Sequence, residues 1–356
     1  MLKLKKRFSL IFNFYIKKDA NSCGFMQNQD EGFRSDLNII DGLGFSKKIC
    51  SQLKQIVEQL NQKYNFIPNI AIIIVGHNQA SEIYVRNKIK MATSIGIIAN
   101  IIRFEEDIKE FELLQKIEEL NNDNSIHGII IQLPLPTNLS KEHALFAISP
   151  RKDLDGLNPI NAGLLHSAKD VPYKIDEVLD CVMNDGKYEK DSLLTEKVSL
   201  LGVTVPFIPC TPLGCIYLIE KTLEVSGEKL VGKNAVIFGN SNLVSKPMAR
   251  LLLQCGSTVT TLHSRSRDFQ YLIENADIIV SATGKKQELE NIKNNAILID
   301  VGIRQKQDGG ITGDLDFQKL SQTNKITPVP KGVGPMTVAT LMLNSMLAGL
   351  NKFLNK

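Results

Sequence analysis

Tyr84 and Lys88 stand four residues apart in SEIYVRNKIK. On a helix they would share one face, about a turn from each other. A tyrosine so placed can stack on a flat ring or donate a hydrogen bond. A lysine in an apolar cleft has its pKa lowered, which suits proton transfer. The same pair also reads as a solvated lysine beside a half-buried tyrosine. Gln132 ends the apolar run HGIII and opens Gln132-Leu133-Pro134-Leu135-Pro136, where two prolines stiffen the loop. It is either a ligand contact or a satisfied strand end. Asp153 and Asp155, in KDLDG, could hold an amino-heterocycle through two hydrogen bonds or cap a turn.

A second set of residues suits a nucleotide. After the run AVIF come Gly239-Asn240-Ser241 and then a helical pattern from Met248. Strand, glycine turn and helix form the layout in which backbone N–H groups at a helix N-terminus receive a pyrophosphate. The GxGxxG pattern is not met, because Ser241 stands at the second glycine. His263-Ser264-Arg265-Ser266-Arg267 follows the next strand, where such folds meet the ribose. Hydroxyls and arginines in that place suit a 2′-phosphate, hence NADP, whereas an acid would favour NAD. Ala282-Thr283-Gly284 and Asp300-Val301-Gly302-Ile303 end two further strands. Carboxyl ends of strands are where open α/β sheets bind ligands.

The positioning elements can be read from the hydrophobic pattern. One series of buried strands is expected at Ile70–Val75, Ile98–Phe104 and Ile126–Ile131, with helices at Phe45–Lys63, Glu82–Ile95 and Lys109–Asn121. A second series is expected at Ala235–Phe238, Thr258–Leu262, Ile278–Ser281 and Ala296–Val301, and Met336–Phe353 reads as a closing helix. Continuous rather than alternating apolar strands suit parallel sheets covered on both faces. The fold class is therefore α/β, with two α/β domains in series and the second Rossmann-like. Ser167–Thr204 is polar and charge-rich, with one helix-like patch at Ile175–Met183; it reads as a surface insertion.

Composition narrows the function classes. With 43% hydrophobic and 22% charged residues, the 356-residue chain is neither disordered nor fibrous, and it is long enough for two domains. No run of about 20 apolar residues suggests a membrane span. The net charge of +4 belongs to one end: residues 1–18 hold six Lys and Arg and no acid, leaving 36 basic against 38 acidic residues in the rest. A nucleic-acid partner gains little from that balance. The tail, residues 1–37, reads as a mitochondrial-type presequence or an over-extended start with Met26 as a second initiator. The six scattered cysteines form no CxxC, so no metal site is expected, and the thiols read as reduced, cytoplasmic core residues.

In order along the chain, YVRNK (84–88), QLPLP (132–136), DLDG (153–156), PCTPLG (209–214), IDVGI (299–303), GDLDF (313–317) and PVPKGVGPMT (328–337) resemble the bifunctional methylenetetrahydrofolate dehydrogenase/methenyltetrahydrofolate cyclohydrolase family. The resemblance spans residues 38–353 apart from the insertion. It implies a folate-binding catalytic domain (38–157 plus 336–356) and an NAD(P)-binding domain (158–335, with the insertion at 167–204) flanking a cleft. It also implies a homodimer formed through the nucleotide domain. The implied activity oxidises 5,10-methylenetetrahydrofolate with NADP⁺ and hydrolyses the methenyl product to 10-formyltetrahydrofolate. A monofunctional cyclohydrolase, or a folate- or nucleotide-binding protein, with an impaired dehydrogenase half is the alternative. By resemblance Lys88 is the catalytic lysine, Gln132 tunes its protonation, Tyr84 packs on the aminobenzoate ring and Asp155 anchors the pterin. Gly334 and Pro335 would meet the substrate; Gly239, Asn240, Ser241, Ser264 and Ile303 would meet the cofactor. Three residues depart from the family pattern: Asn240 for an arginine, and Ser245 and Lys331 for glycines. Ser245 is expected to crowd the pyrophosphate, and Asn240 to leave NAD possible.

Overall fold

The computed structural model describes residues 38–185, 207–306 and 309–354. The expected tail, and residues 186–204 of the expected insertion, lie outside the described residues. The first lobe is built from α1 (Gly42–Tyr64), β1 (Asn69–Val75), α2 (Gln79–Ser94), β2 (Ile98–Phe104), α3 (Glu110–Asn122), β3 (Gly128–Ile131) and α4 (Lys141–Ala147). Its strands form a parallel sheet in the order β2-β1-β3. Ile70, Ile72 and Ile74 face one core while Ala71, Ile73 and Val75 face another, so every residue of the run is covered. Such two-sided burial is why the strand reads as an unbroken apolar run.

A connecting region carries α5 (Pro159–Ser167), α6 (Ile175–Asp185) and α7 (Cys210–Val225). The second lobe follows as β4 (Asn234–Phe238), α8 (Ser245–Gln254), β5 (Thr258–Leu262), α9 (Gln270–Glu274), β6 (Ile278–Ser281) and β7 (Ile297–Asp300). A short antiparallel hairpin, β8 (Arg304–Gln305) with β9 (Ile311–Thr312), precedes α10 (Phe317–Leu320) and β10 (Lys325–Ile326). The five-stranded parallel sheet runs β10-β7-β6-β4-β5, a doubly wound order that reverses between β4 and β6. Ile39 bridges Ile326, so the segment before α1 borders the second sheet.

The chain ends in α11 (Val333–Leu354), which packs on α7 and α1 and joins the core through Met336, Ala339, Leu341, Met342, Leu343 and Met346. Two sequence readings change here. An 18-residue window, Val333–Leu350, is long and apolar enough by composition to cross a membrane, although no such run was expected; 72% of it is buried within the fold. A helix that is apolar on most faces fits either solvent, and here protein surrounds it. The expected surface insertion is also corrected for its described part: Tyr173, Ile175, Val178 and Leu179 are buried in the main core. The i, i+3, i+4 spacing of Ile175, Val178 and Leu179 in α6 provides an apolar stripe, and α1 packs on this helix.

Candidate active site

Parallel strands bring all their carboxyl ends to one edge of a sheet, and both lobes place the candidate residues there. In the first lobe Asn78 caps α2 by accepting from the Ser81 amide, at 3.0 Å, just beyond the carboxyl end of β1. The helix then carries Tyr84 and Lys88 forward on one face. Lys88 Nζ donates to Gln132 Oε1 at 3.1 Å. Gln132 follows β3, and its amide is fixed from the other side by Nε2 donating to Leu133 O at 2.8 Å. The sheet order 2-1-3 puts this bond across the point where the winding reverses, between β1 and β3. Gln132 is only 9% exposed, Lys88 is half-buried and Tyr84 is 40% exposed. Burial pushes the Tyr84 hydroxyl pKa up, which keeps it a neutral donor.

The paired acids separate into two roles. Asp153 is buried, and its Oδ2 accepts from the Asn158 amide and from Asn161 Nδ2, both at 2.8 Å. Burial pushes its carboxyl up to about 6, while those hydrogen bonds pull it down. Asp153 thus caps the turn, and the two-acid grip on a heterocycle is not formed by this pair. Asp155 is half-buried and makes none of these bonds. The loop carrying it is held by Asn344 of α11, whose Nδ2 donates to Leu154 O at 2.8 Å and Ile208 O at 3.1 Å. Tyr173 completes the network, donating to Asn344 Oδ1 at 2.8 Å and accepting from the Ile208 amide at 3.0 Å. The Cys210 thiol at the start of α7 donates to Leu154 O at 3.4 Å. Burial raises its pKa well above the ordinary range, and both Asp155 and Lys88 lie within electrostatic reach of it. Lys88, Gln132, Asp155 and the start of α7 therefore lie in one neighbourhood. Thr211 and Thr337 hydroxyls meet at 2.9 Å, which brings the first turn of α11, with Gly334 and Pro335, to the same end. An added Cβ at Gly334 meets nothing within 4 Å, so that turn opens to free space.

In the second lobe the expected cofactor residues line the carboxyl edge of the sheet. Gly239 ends β4 at φ +131, and a Cβ there would lie 2.5 Å from Ser245 Oγ and 2.8 Å from Ala282 O. The tight turn thus needs glycine, for both conformation and space. Asn240 is exposed, and Ser264 and Arg265 are exposed beyond β5. Ile303 is 47% exposed beyond β7. Ser241 Oγ accepts from the amides of Val244 at 3.1 Å and Ser245 at 3.4 Å, so it holds the turn that leads into α8. The expectation for Ser245 is overturned: its side chain is fully buried against Gly239 rather than crowding a ligand. Lys331 occupies φ +84, the region in which its glycine counterpart would be unstrained. Among the described residues no cluster of three metal-ligating side chains occurs, and Cys50, Cys210 and Cys215 are buried free thiols.

Sequence reasoning missed Asn344, Tyr173 and Asp314. The first two act through contacts more than 130 residues away in the chain, and no local pattern signals them. Asp314 lies inside the GDLDF motif but was assigned no work there.

A two-lobed α/β chain with a doubly wound second sheet and a lysine–amide pair at the first sheet's switch point is a nucleotide-dependent enzyme of the Rossmann class. Residues 209–352 match the family model described as the tetrahydrofolate dehydrogenase/cyclohydrolase NAD(P)-binding domain, and residues 40–155 match its catalytic domain. The bifunctional protein FolD of Wolbachia sp. subsp. Drosophila simulans (strain wRi) is 43% identical over 87% of this chain and 94% of its own. The crystal structure of bifunctional FolD from Campylobacter jejuni, 37% identical, superposes with a TM-score of 0.74 over 88% of this chain and 98% of that one. The Trypanosoma brucei enzyme, solved with NADP cofactor and inhibitor, is 30% identical with a TM-score of 0.73, over the same shares. The chain belongs to the tetrahydrofolate dehydrogenase/cyclohydrolase family.

Proposed function

We propose that this protein oxidises 5,10-methylenetetrahydrofolate with NADP⁺ and hydrolyses the resulting methenyl cation to 10-formyltetrahydrofolate in one cleft. The observation that carries the reading is the 3.1 Å bond from Lys88 to Gln132 at the first sheet's switch point. In the hydrolytic step a water oxygen bonds to the electrophilic one-carbon bridge, the bond from that carbon to N5 breaks, and one water proton is passed to N5. The second proton is released. Lys88 manages that transfer, and Gln132 holds the ammonium in place by accepting one of its hydrogens. Tyr84, with its ring partly exposed and its hydroxyl neutral, packs on the aminobenzoate ring. Asp155 accepts from the pterin amino group, and Gly334 and Pro335 leave room at the far side. NADP⁺, when bound, accepts the hydride from the one-carbon bridge.

Two features fit the dinucleotide: the Cβ-free turn at Gly239 and the open space over Gly284. Ser264 and Arg265 offer a hydroxyl and a guanidinium where a 2′-phosphate would sit, while exposed Asn240 adds no charge there; NAD⁺ is the slower alternative. Ile303 presents an apolar face beyond β7. The proposed domains are 38–157 with 336–356 for folate, and 158–335 for the nucleotide. The protein forms a homodimer through the nucleotide lobe, where Val231 and Leu253 are exposed and β5 is a terminal strand of the sheet among the described residues. The deciding experiment follows nucleotide reduction with methylenetetrahydrofolate, using NADP⁺ and then NAD⁺, and methenyl hydrolysis separately. Two rates above background are expected, with NADP⁺ preferred. Hydrolysis without nucleotide reduction would leave only the cyclohydrolase.

A further inference from the structure

The GDLDF segment contains a carboxylate that the catalytic scheme above does not use. Asp314 is fully buried, so it cannot touch a ligand itself. Its Oδ2 accepts from four donors at the carboxyl end of β6: Ser281 Oγ at 2.9 Å, the Thr283 amide at 2.9 Å, Thr283 Oγ1 at 2.8 Å and the Gly284 amide at 3.2 Å. Its Oδ1 is buried with no hydrogen-bond partner among the described residues. That oxygen would lie 2.0 Å from a Cβ on Gly302, so residue 302 rests directly against the carboxylate. Asp314 is itself held by a second carboxylate. Asp300, the last residue of β7, accepts from the amides of Asp314 at 2.9 Å and Leu315 at 2.8 Å. Gly313 rests on Asp300 as Gly302 rests on Asp314, since a Cβ there would fall 2.0 Å from Asp300 Oδ2. The Asp314 carbonyl, in turn, accepts from the Gln287 amide at 2.8 Å.

These contacts tie the carboxyl end of β6, which borders the crevice at the reversal of the sheet, to that of its neighbour β7. Ala282 O, one residue before Thr283, lies 2.8 Å from where a Gly239 Cβ would be, so any shift of that loop moves the wall facing the glycine turn. Gly302 immediately precedes Ile303. We infer that Asp314 is a positioning residue for the dinucleotide: its Oδ2 fixes the β6 loop, its Oδ1 seats Gly302, and the crevice is thereby held at a fixed width. A carboxylate suits the task because one oxygen can collect four converging donors, and bonds to a charged acceptor are roughly twice as strong as neutral ones. The role is separate from folate chemistry, since none of the residues that Asp314 contacts belongs to the first lobe.

The inference rests on the dehydrogenase reading above, and the test separates the two. Asp314→Asn and Ser281→Ala are compared with wild type by NADP⁺ KM and kcat, by NADPH binding from its fluorescence, and by methenyl hydrolysis without nucleotide. Asp314→Asn should raise the NADP⁺ KM and the NADPH Kd about 10-fold, the size of one lost charge-assisted hydrogen bond, while kcat and nucleotide-free hydrolysis stay within about 2-fold. Ser281→Ala, which removes one of four donors and leaves the backbone bonds intact, should show the same split at about 3-fold. If Asp314→Asn does not fold, Ser281→Ala decides. Unchanged nucleotide affinity in the folded variants overturns the inference, as does a parallel fall in hydrolysis, which would mark a general structural role. A wild-type protein that binds NADPH without reducing NADP⁺ overturns the dehydrogenase reading, and the binding arm still tests Asp314.

Discussion

Replacing Lys88 by methionine retains an unbranched, largely apolar side chain and removes the ammonium. Two magnitudes follow from the site. A positioned acid or base typically contributes about 10²–10⁴ in rate, so methenyl hydrolysis should fall by about that factor. The structural loss is the 3.1 Å bond to Gln132, whose side chain is mostly buried. Leaving Oε1 without its donor costs about 1 kcal/mol, at the low end for a buried acceptor, because half-buried Lys88 also leaves its site open to water. Folding is therefore retained, with a melting temperature lowered by about 2–4 °C. Gln132→Leu removes the acceptor while Lys88 stays, and about 1.5 kcal/mol of lost orientation corresponds to a roughly 10-fold slower reaction. Because Gln132 acts through Lys88, the double variant should be no slower than Lys88→Met alone. The assay is the disappearance of methenyltetrahydrofolate absorbance, with circular dichroism melting as the folding control. A folded Lys88→Met variant hydrolysing within about 10-fold of wild type refutes the role of Lys88. Independent, multiplying losses in the double variant refute the coupling.

Three further outcomes are expected. Burial pushes the Asp300 carboxyl up to about 6, so the folded state keeps its proton to a higher pH than the unfolded chain does. The resulting stability is full below pH about 4 and lost as pH rises through about 6. The stability of wild type relative to Asp300→Asn should thus grow by about 1.4 kcal/mol from pH 7 to pH 5 in urea unfolding; a constant difference contradicts the assignment. Lys331→Gly should stabilise the fold by about 0.5–1 kcal/mol, since relief of a strained φ of +84 outweighs the added chain entropy. Equal or lower stability in chemical denaturation would show that the loop bears no strain there. Asn344→Ala leaves Leu154 O, Ile208 O and the Tyr173 hydroxyl short of a partner, and should cost about 3 kcal/mol or more in the same measurement. It should also raise the folate KM before the NADP⁺ KM, because the loop it holds carries Asp155.

The strands β1, β3, β4, β6 and β7 were legible as short apolar runs covered on both faces, and β2, β5 and β6 have the expected bounds. But β2, expected to be buried, is instead an outer strand of its sheet with no buried residue, and β5 buries only Leu262. The helices α1, α2 and α3 were legible because one stripe of each is buried; their ends differ by a few residues, as when capping Asn78 sets the start of α2. The helix α7 was not. Cys210, Leu213, Cys215, Ile216, Tyr217, Leu218 and Ile219 are all buried, so the helix has no polar face to set a period. The two-residue β10 was equally invisible, as its position in the sheet comes from pairing with β7.

By itself the sequence determined the parallel α/β class, the two nucleotide-fold punctuation points and the set of motifs that name the family, because these depend on local pattern and residue type. Tertiary structure alone decided which of those residues act together. It separated Asp153, spent on capping a turn, from Asp155, which takes no part in those bonds. It turned Ser245 inward beneath Gly239, buried Tyr173 of the supposed insertion behind the loop that carries Asp155, and gathered four donors on one oxygen of Asp314. Each of these outcomes depends on burial and on hydrogen bonds between distant segments, and those exist only once the two sheets and α11 have been brought together.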